Sequence, residues 1–219
     1  MRVAPVPTEW PDRCRRGFRG RRRVHSIAAI AQDYVRRHQP KAARELQSFR
    51  NIRSLEEAIT QAGLARRPDG KRWSHQRRIP LAVLERATQR LRRGRLESAR
   101  SLADLLVRVS AAVRSVRGVG ELYRYDTAPR IGAHLRLLPR KVYLHAGTRV
   151  GARAIGLDHR AASASLGQLP VGLRRLQPHE VEDVLCIYKD WLPTAKGGSN
   201  RSFQPSAPRV LRSAAEARR

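Results

Sequence analysis

Two glycines one residue apart, in Val116-Arg117-Gly118-Val119-Gly120, form the segment of this sequence best suited to holding a phosphate. Glycines let a chain turn tightly and bring backbone N–H groups against an anion with no side chain in the way. Val119 between them is an apolar anchor for such a turn. The same five residues also suit a plain glycine turn in a helical bundle, since helical patterns flank them on both sides. A second candidate lies at 65–80, where the turn Pro68-Asp69-Gly70 precedes Lys71, Arg72, Trp73, His75, Arg77 and Arg78. Cations around an indole combine phosphate charge with a stacking surface for bases. The opposing reading tucks Trp73 into the core and leaves the arginines solvated. Arg149 and Arg153 complete the candidate phosphate contacts.

Catalytic chemistry is harder to read. Asp126, in Tyr123-Arg124-Tyr125-Asp126, is the one catalytic candidate: a carboxylate there can activate a water or stabilise a cation, or simply pair with a neighbouring arginine. His134, His145 and His159 do not have zinc spacing, and Cys186 is too isolated to complete a site. His179, Glu180, Glu182 and Asp183 form a small acidic cluster, which placement in the first turn of a helix explains more simply than a metal. No P-loop, GxSxG or dinucleotide fingerprint occurs, so no metal and no cofactor is expected.

The elements that must position these residues read as helices. Val24, Ile27, Ile30, Ala31, Tyr34 and Val35 have helical spacing, and Pro40 opens a second helix with Leu46 and Phe49 on one side. Ser54 with Glu57 is a capping-box signature for 55–64. Pro80 starts a helix with Leu81, Leu84, Ala87, Thr88 and Leu91 on its buried face, ended by Gly94. Ser98 is expected to cap the next helix, with Leu102, Leu105, Leu106, Val109 and Val113 as its stripe. The last helix lies within 176–192, and 141–145 is the only segment with an extended reading.

Charge narrows the partner. Lys and Arg number 46 against 18 Asp and Glu, a net charge of +28 that repels itself in a folded chain unless a polyanion compensates it. Arg-rich codon usage is the competing account, and it would make any binding weak at physiological salt. There is no apolar run long enough for a bilayer and no secretory signal at the start, so no membrane partner is expected. The two cysteines, Cys14 and Cys186, form no CxxC pair and fit a reducing compartment. The expected location is cytoplasmic and nucleoid-associated.

The apolar-x-Gly-apolar-Gly segment between two helices resembles the hairpin of the helix-hairpin-helix DNA-binding family. About thirty residues on, Thr148-Arg149-Val150-Gly151-Ala152-Arg153-Ala154-Ile155-Gly156-Leu157 is similar to a stretch of the helix-hairpin-helix base-excision DNA glycosylases. There, Val-Asp-Thr-His-Val leads into a helix ending near Arg-Leu-Gly-Leu. The resemblance covers roughly residues 100–157. It implies a helical scaffold whose hairpin grips the phosphate backbone without reading sequence. The catalytic residues do not match: Gly147 stands where the family has its Asp, and Glu121, Leu122 and Tyr123 follow Gly120 with no nucleophilic Lys. Thr127-Ala128 comes a few residues late, Pro129 is expected to kink that helix unless it begins a new one, and there is no four-cysteine cluster for iron–sulfur.

The expected architecture is mainly α: a single multi-helix domain over 24–192 with a helix-hairpin-helix element near 101–137. A basic arm (1–23) and a basic disordered tail (193–219) flank it. The expected function is sequence-tolerant DNA binding, with duplex DNA as partner, through Gly118, Val119, Gly120 and the arginine-rich loops. The alternatives are a divergent DNA-repair or nuclease-type enzyme, and an RNA-binding or ribosome-associated protein. Oligomeric state is not legible.

Overall fold

A computed structural model describes residues 26–193 and gives a mainly α-helical single domain. The basic arm and all of the tail but Pro193 lie outside the described residues. Eight α-helices run, among the described residues, as α1 (Ile27–Arg37), α2 (Gln39–Arg50), α3 (Leu55–Gly63), α4 (Leu81–Arg92), α5 (Leu102–Val113), α6 (Glu121–His134), α7 (Ala146–Ala154) and α8 (Pro178–Ile187). A two-stranded antiparallel sheet pairs β1 (Val142–Tyr143) with β2 (Ser163–Ala164), Val142 opposite Ala164. The extended reading of 141–145 thus corresponds to β1. Its partner has no strand pattern of its own.

Local signals explain the helix starts. The side chains of Ser26 and Ser54 accept from the N–H groups of Ala29 and Glu57, closing the first turns of α1 and α3. The expected cap at Ser98 is corrected: Ser101 caps α5 by accepting from Asp104 N–H at 3.1 Å. Ser98 belongs instead to a short 3-10 turn, Leu96–Ser98, which the fully buried Leu96 draws toward the core. Its hydroxyl donates back to Arg95 O at 2.9 Å and receives Arg108 Nη1 at 2.9 Å. Pro129 does not break α6, which continues through it to His134. It lacks one intrahelical donor, and its ring lines a pocket.

The buried apolar residues form two groups. The larger joins Phe49 of α2 to the inner faces of α3 to α6 around Leu84, Leu91, Leu105, Val109 and Ile131. The smaller joins α1, β1, α7 and α8 around Ile30, Tyr34, Leu144, Val184 and Tyr188. Polar contacts tie α1 to α8: Tyr34 Oη donates to Asp183 at 2.9 Å and Tyr188 Oη to Asp33 at 2.8 Å. Among the described residues, the α7–α8 contact is the tightest at any glycine, because a Cβ on Gly151 would lie 2.1 Å from the Leu185 carbonyl oxygen. Between the two apolar groups, α2 and α6 on one side face α8 on the other across a pocket.

Candidate functional site: a hairpin and the pocket behind it

Residues 114–120 form the turn from α5 to α6. Val116 is buried and Val119 half-buried against the larger core, so the turn is pinned from below. Gly118 has φ +95, a conformation that favours glycine, and a Cβ there would press on Val83 at 3.3 Å. Gly120 is the N-cap of α6 and offers no side-chain cap, and space around it is open. The first N–H groups of α6 are therefore without the usual capping partner and carry the positive end of the helix dipole. Beside them Glu121 takes both guanidinium nitrogens of Arg149, each at 2.9 Å. Arg149 is thus already paired, while Arg153, one turn on, is exposed.

The loop at 71–78 divides. Lys71, Arg77 and Arg78 are exposed. Arg72 is turned inward and donates to the Ile79 carbonyl at 2.8 Å. Trp73 is 5 % exposed and belongs to the larger core, with the guanidiniums of Arg130 and Arg67 over its ring at 4.5 and 5.6 Å. Its ring is not an outward stacking surface for bases, because its apolar area completes the core and cations cover its faces. The loop's contribution to the site is His75, one turn beyond.

A pocket of about 210 Å³ lies along α6 from Leu122 onward. Three helices line it with the same helical spacing. From α6 come Leu122, Tyr125, Asp126 and Pro129, from α2 Lys41, Ala42 and Glu45 below His38, and from α8 His179, Glu182, Asp183 and Cys186. Such i, i+3, i+4, i+7 stripes place each set on one helix face. The opposite faces, with Tyr123 and Ile131 of α6 or Val181, Val184 and Leu185 of α8, are core. His75 enters from a 3-10 turn and His145 from the N-cap of α7.

Asp126 is the centre of the polar contacts. Its Oδ2 is in hydrogen-bond contact with His75 Nε2, and Arg130 Nη2 lies 3.9 Å away. Their side chains are 16 % and 18 % exposed for His75 and Asp126, so solvent reaches the pair. Burial acts to raise the Asp126 carboxyl, but the His75 hydrogen bond and the charges of Arg130, His75 and His145 outweigh it and hold it below its ordinary value. Arg130 itself is 5 % exposed and also donates to Gln76 Oε1 at 3.0 Å and faces Glu45 at 3.6 Å. His145 stacks on Tyr125 with ring centres 4.6 Å apart. Its Nδ1 and the Tyr125 hydroxyl are buried without a hydrogen-bond partner. Burial lowers His145 below its ordinary value, against the pull of Asp126 and Glu121, and so favours its neutral form.

Glu182 is opposite in character. It is 5 % exposed, and its Oε1 accepts the Tyr143 N–H at 2.6 Å. Burial raises it well above the usual carboxylate range, the Tyr143 N–H opposes this, and the charge of Asp183 adds to it. A carboxyl whose value is raised by folding contributes stability below its unfolded value of about 4.3, and that contribution is lost as pH rises through the folded value. Glu182→Gln keeps an oxygen for the Tyr143 N–H and removes the titration. Its stability relative to the parent chain should therefore rise from pH 5 to pH 8 in urea unfolding. Parallel curves for the two proteins across that range would show that Glu182 does not hold a proton in the folded chain.

Among the sequence candidates, Asp126 is brought into the pocket. Gly118, Val119 and Gly120 form the turn that precedes it, Gly120 lying six residues, nearly two helical turns, before Asp126. Gly147 sits in the first turn of α7 against α8, where a Cβ would be 3.1 Å from Cys186 Sγ, and the side chain facing the pocket at this helix end is His145. Sequence reasoning missed His75, His145, Glu182 and Cys186 as members of one site. No group of three or more His, Cys, Asp or Glu suited to a metal ion occurs among the described residues, and no described helix is long and apolar enough to cross a membrane. Comparison of the chain with protein-family models, with curated proteins and with solved structures finds no match.

Proposed function

We propose that this chain binds nucleic acid, with the phosphates held at the hairpin surface and one nucleobase drawn into the pocket along α6. The supporting observation is the double use of α6. Its first residues carry the open Gly120 end of the hairpin, and its next two turns carry Leu122, Tyr125 and Asp126 into the pocket wall. A strand lying on the hairpin would be one helical turn from the pocket.

Charge sorts the two contacts. In a chain of net charge +28, the carboxyl side chains of Glu45, Asp126, Glu182 and Asp183 all line this pocket. Lys41 and Arg130 line it too, but Arg130 is already engaged by Glu45 and Asp126, so the lining suits a neutral ring better than a phosphate. The stacked Tyr125–His145 pair gives an aromatic wall, and the unpartnered Tyr125 hydroxyl and His145 Nδ1 give hydrogen-bonding groups. Reading an extruded base by stacking and edge contacts is how proteins handle a base outside its stack.

A second reading makes the pocket catalytic. Asp126 is held ionised while Glu182 is pushed toward its protonated form, and carboxyls driven apart in this way can divide base and acid roles. In hydrolysis at a sugar–base bond, Asp126 would take a proton from the attacking water as its oxygen bonds to the sugar carbon. The bond to the base breaks, and Glu182 would protonate the departing base.

The test uses the full chain with duplex DNA of arbitrary sequence, single strands and structured RNA over a salt series. Duplexes carrying 2-aminopurine at a mismatch report the base leaving the stack by a rise in fluorescence. Steep, sequence-insensitive salt dependence with that rise is expected. Tighter binding of structured RNA would move the partner to RNA, and no binding at moderate salt would remove the nucleic-acid reading. Where base release is found, Asp126→Asn should slow it by about 10² to 10⁴, the usual contribution of a general acid or base. Release unchanged in that variant would remove the catalytic reading.

A further inference from the structure

The hairpin has a second side. It lies against α4, whose inner residues Val83, Leu84, Ala87 and Leu91 are in the larger core. The outward face of α4 repeats arginine at Arg86, Arg90 and Arg93, the i, i+4, i+7 spacing of one stripe. Between this stripe and the hairpin is a cleft of about 370 Å³, lined by Arg86, Gln89, Arg90, Ser115, Val116 and Arg117. The lining holds three guanidiniums, one amide and one hydroxyl, and no carboxylate.

The arginines of this cleft differ from their neighbours. Arg92, on the same helix, turns to Glu56 at 3.7 Å and to the Thr60 hydroxyl at 3.0 Å. Arg108 is paired with Asp104 at 2.9 Å and Arg149 with Glu121. Among the described residues, Arg86, Arg90 and Arg117 have no carboxylate within salt-bridge distance. Like charges at i, i+4 destabilise a helix, so the stripe works against α4 unless an anion lies on it. The dipole of α4 accounts for Arg90 and Arg93 near its C-terminus, but not for Arg86 in mid-helix or for Arg117 on the hairpin.

We propose that the cleft between α4 and the hairpin is a phosphate-binding site, in which Arg86, Arg90 and Arg117 hold the phosphodiester backbone of a nucleic-acid strand. Guanidinium forks match pairs of phosphate oxygens, and three of them converge here with Ser115 as a further donor. The proposal rests on the nucleic-acid reading above and moves its electrostatic contact. Arg72 and Trp73 of the 71–78 loop are engaged inside the protein, whereas the cleft's cations face outward next to the hairpin.

The experiment compares the parent chain, the triple variant Arg86→Ala/Arg90→Ala/Arg117→Ala and the double variant Arg77→Ala/Arg78→Ala. Each is titrated with duplex DNA across a salt series, and separately with inorganic phosphate against chloride at matched ionic strength, read by thermal unfolding. All five positions are exposed, so unchanged unfolding without ligand confirms that the variants fold. The triple variant should lose about 2 to 3 from the salt slope and roughly a hundredfold in duplex affinity near 0.1 M salt, since each phosphate contact contributes about 0.9 to the slope. The double variant should lose less. A parent chain that binds duplex steeply, with an equal slope in the triple variant, overturns the cleft and leaves the nucleic-acid reading intact. A parent chain that ignores DNA but is stabilised by inorganic phosphate, with the effect lost in the triple variant, keeps the anion site, assigns it a free phosphate and removes the duplex-DNA reading. Indifference to both ligands overturns both.

Discussion

Gly151→Ala is expected to destabilise the chain by about 3 kcal/mol or more, at or above the upper end of the usual overpacking range. A Cβ at this position would stand 2.1 Å from the Leu185 carbonyl oxygen and 2.8 Å from the Leu185 backbone carbons. Backbone atoms in the last turn of α8 cannot step aside as the end of a side chain can, so α7 and α8 must separate. Gly147 and Cys186 provide a graded comparison: there a Cβ would meet Cys186 Sγ at 3.1 Å, a contact the thiol can yield by rotating. At Gly120 a Cβ meets nothing within 4 Å, and φ there is −99, so Gly120→Ala should cost less than about 1 kcal/mol. Urea unfolding of the three alanine variants should rank them 120, 147, 151 in increasing loss. Equal losses would mean that the close approach of α7 to α8 does not set the stability of this half of the domain. The same separation would move His145, at the start of α7, away from Tyr125 and open the pocket.

The helices were legible because each buries one apolar stripe, and periodicity reports that stripe directly. Leu102, Leu105, Val109 and Val113 are buried, as are Leu84, Ala87, Thr88 and Leu91, whereas Leu106 is half-buried and Leu81, at the very start of α4, is exposed. The turn at 116–120 between two helices was legible from its glycines. Ser98 misled because a serine before an apolar run looks like a cap wherever it stands, and only the burial of Leu96 shows that the chain makes a 3-10 turn first. Much of the pocket was hidden for a related reason. Its side chains form a second, polar stripe on α2, α6 and α8, which from sequence alone reads as a solvated face. On α8, Glu182 and Asp183 look like first-turn carboxylates answering the helix dipole, yet Glu180 alone fills that role, accepting the Gln177 N–H at 2.7 Å. His75 and Asp126 are 51 residues apart, and no local pattern brings them together. Trp73 was ambiguous in sequence, because an indole among arginines suits either a binding surface or a core residue roofed by cations.

Arg130 supplies the second large effect. It is a nearly fully buried cation in the wall of the pocket, shared among Gln76, Glu45 and Asp126 and lying over the Trp73 ring. Arg130→Met preserves much of the side-chain length over Trp73 but leaves the half-buried carboxylates of Glu45 and Asp126 without this cation and Gln76 Oε1 without its donor. Breaking a fully buried pair from one side costs about 3 to 5 kcal/mol; here the two carboxylates reach solvent and Asp126 keeps His75, so a loss nearer about 2 to 3 kcal/mol is expected at pH 7. The sign of its pH dependence follows from Asp126. In the parent chain its depressed value contributes stability that is present above the unfolded value of about 3.9 and is lost as pH falls through the folded value. Without Arg130, burial acts less opposed and Asp126 takes up its proton more readily, so the gap between variant and parent should narrow as pH falls toward 4. Pairing Arg130→Met with Asp126→Asn removes the unpaired charge as well, and the double variant should be more stable than the sum of the single losses allows. Unfolding of the four proteins at pH 7 and pH 4.5 checks this. Strict additivity, or a loss independent of pH, would show that Asp126 leans on His75 alone and that Arg130 serves mainly as a lid on Trp73.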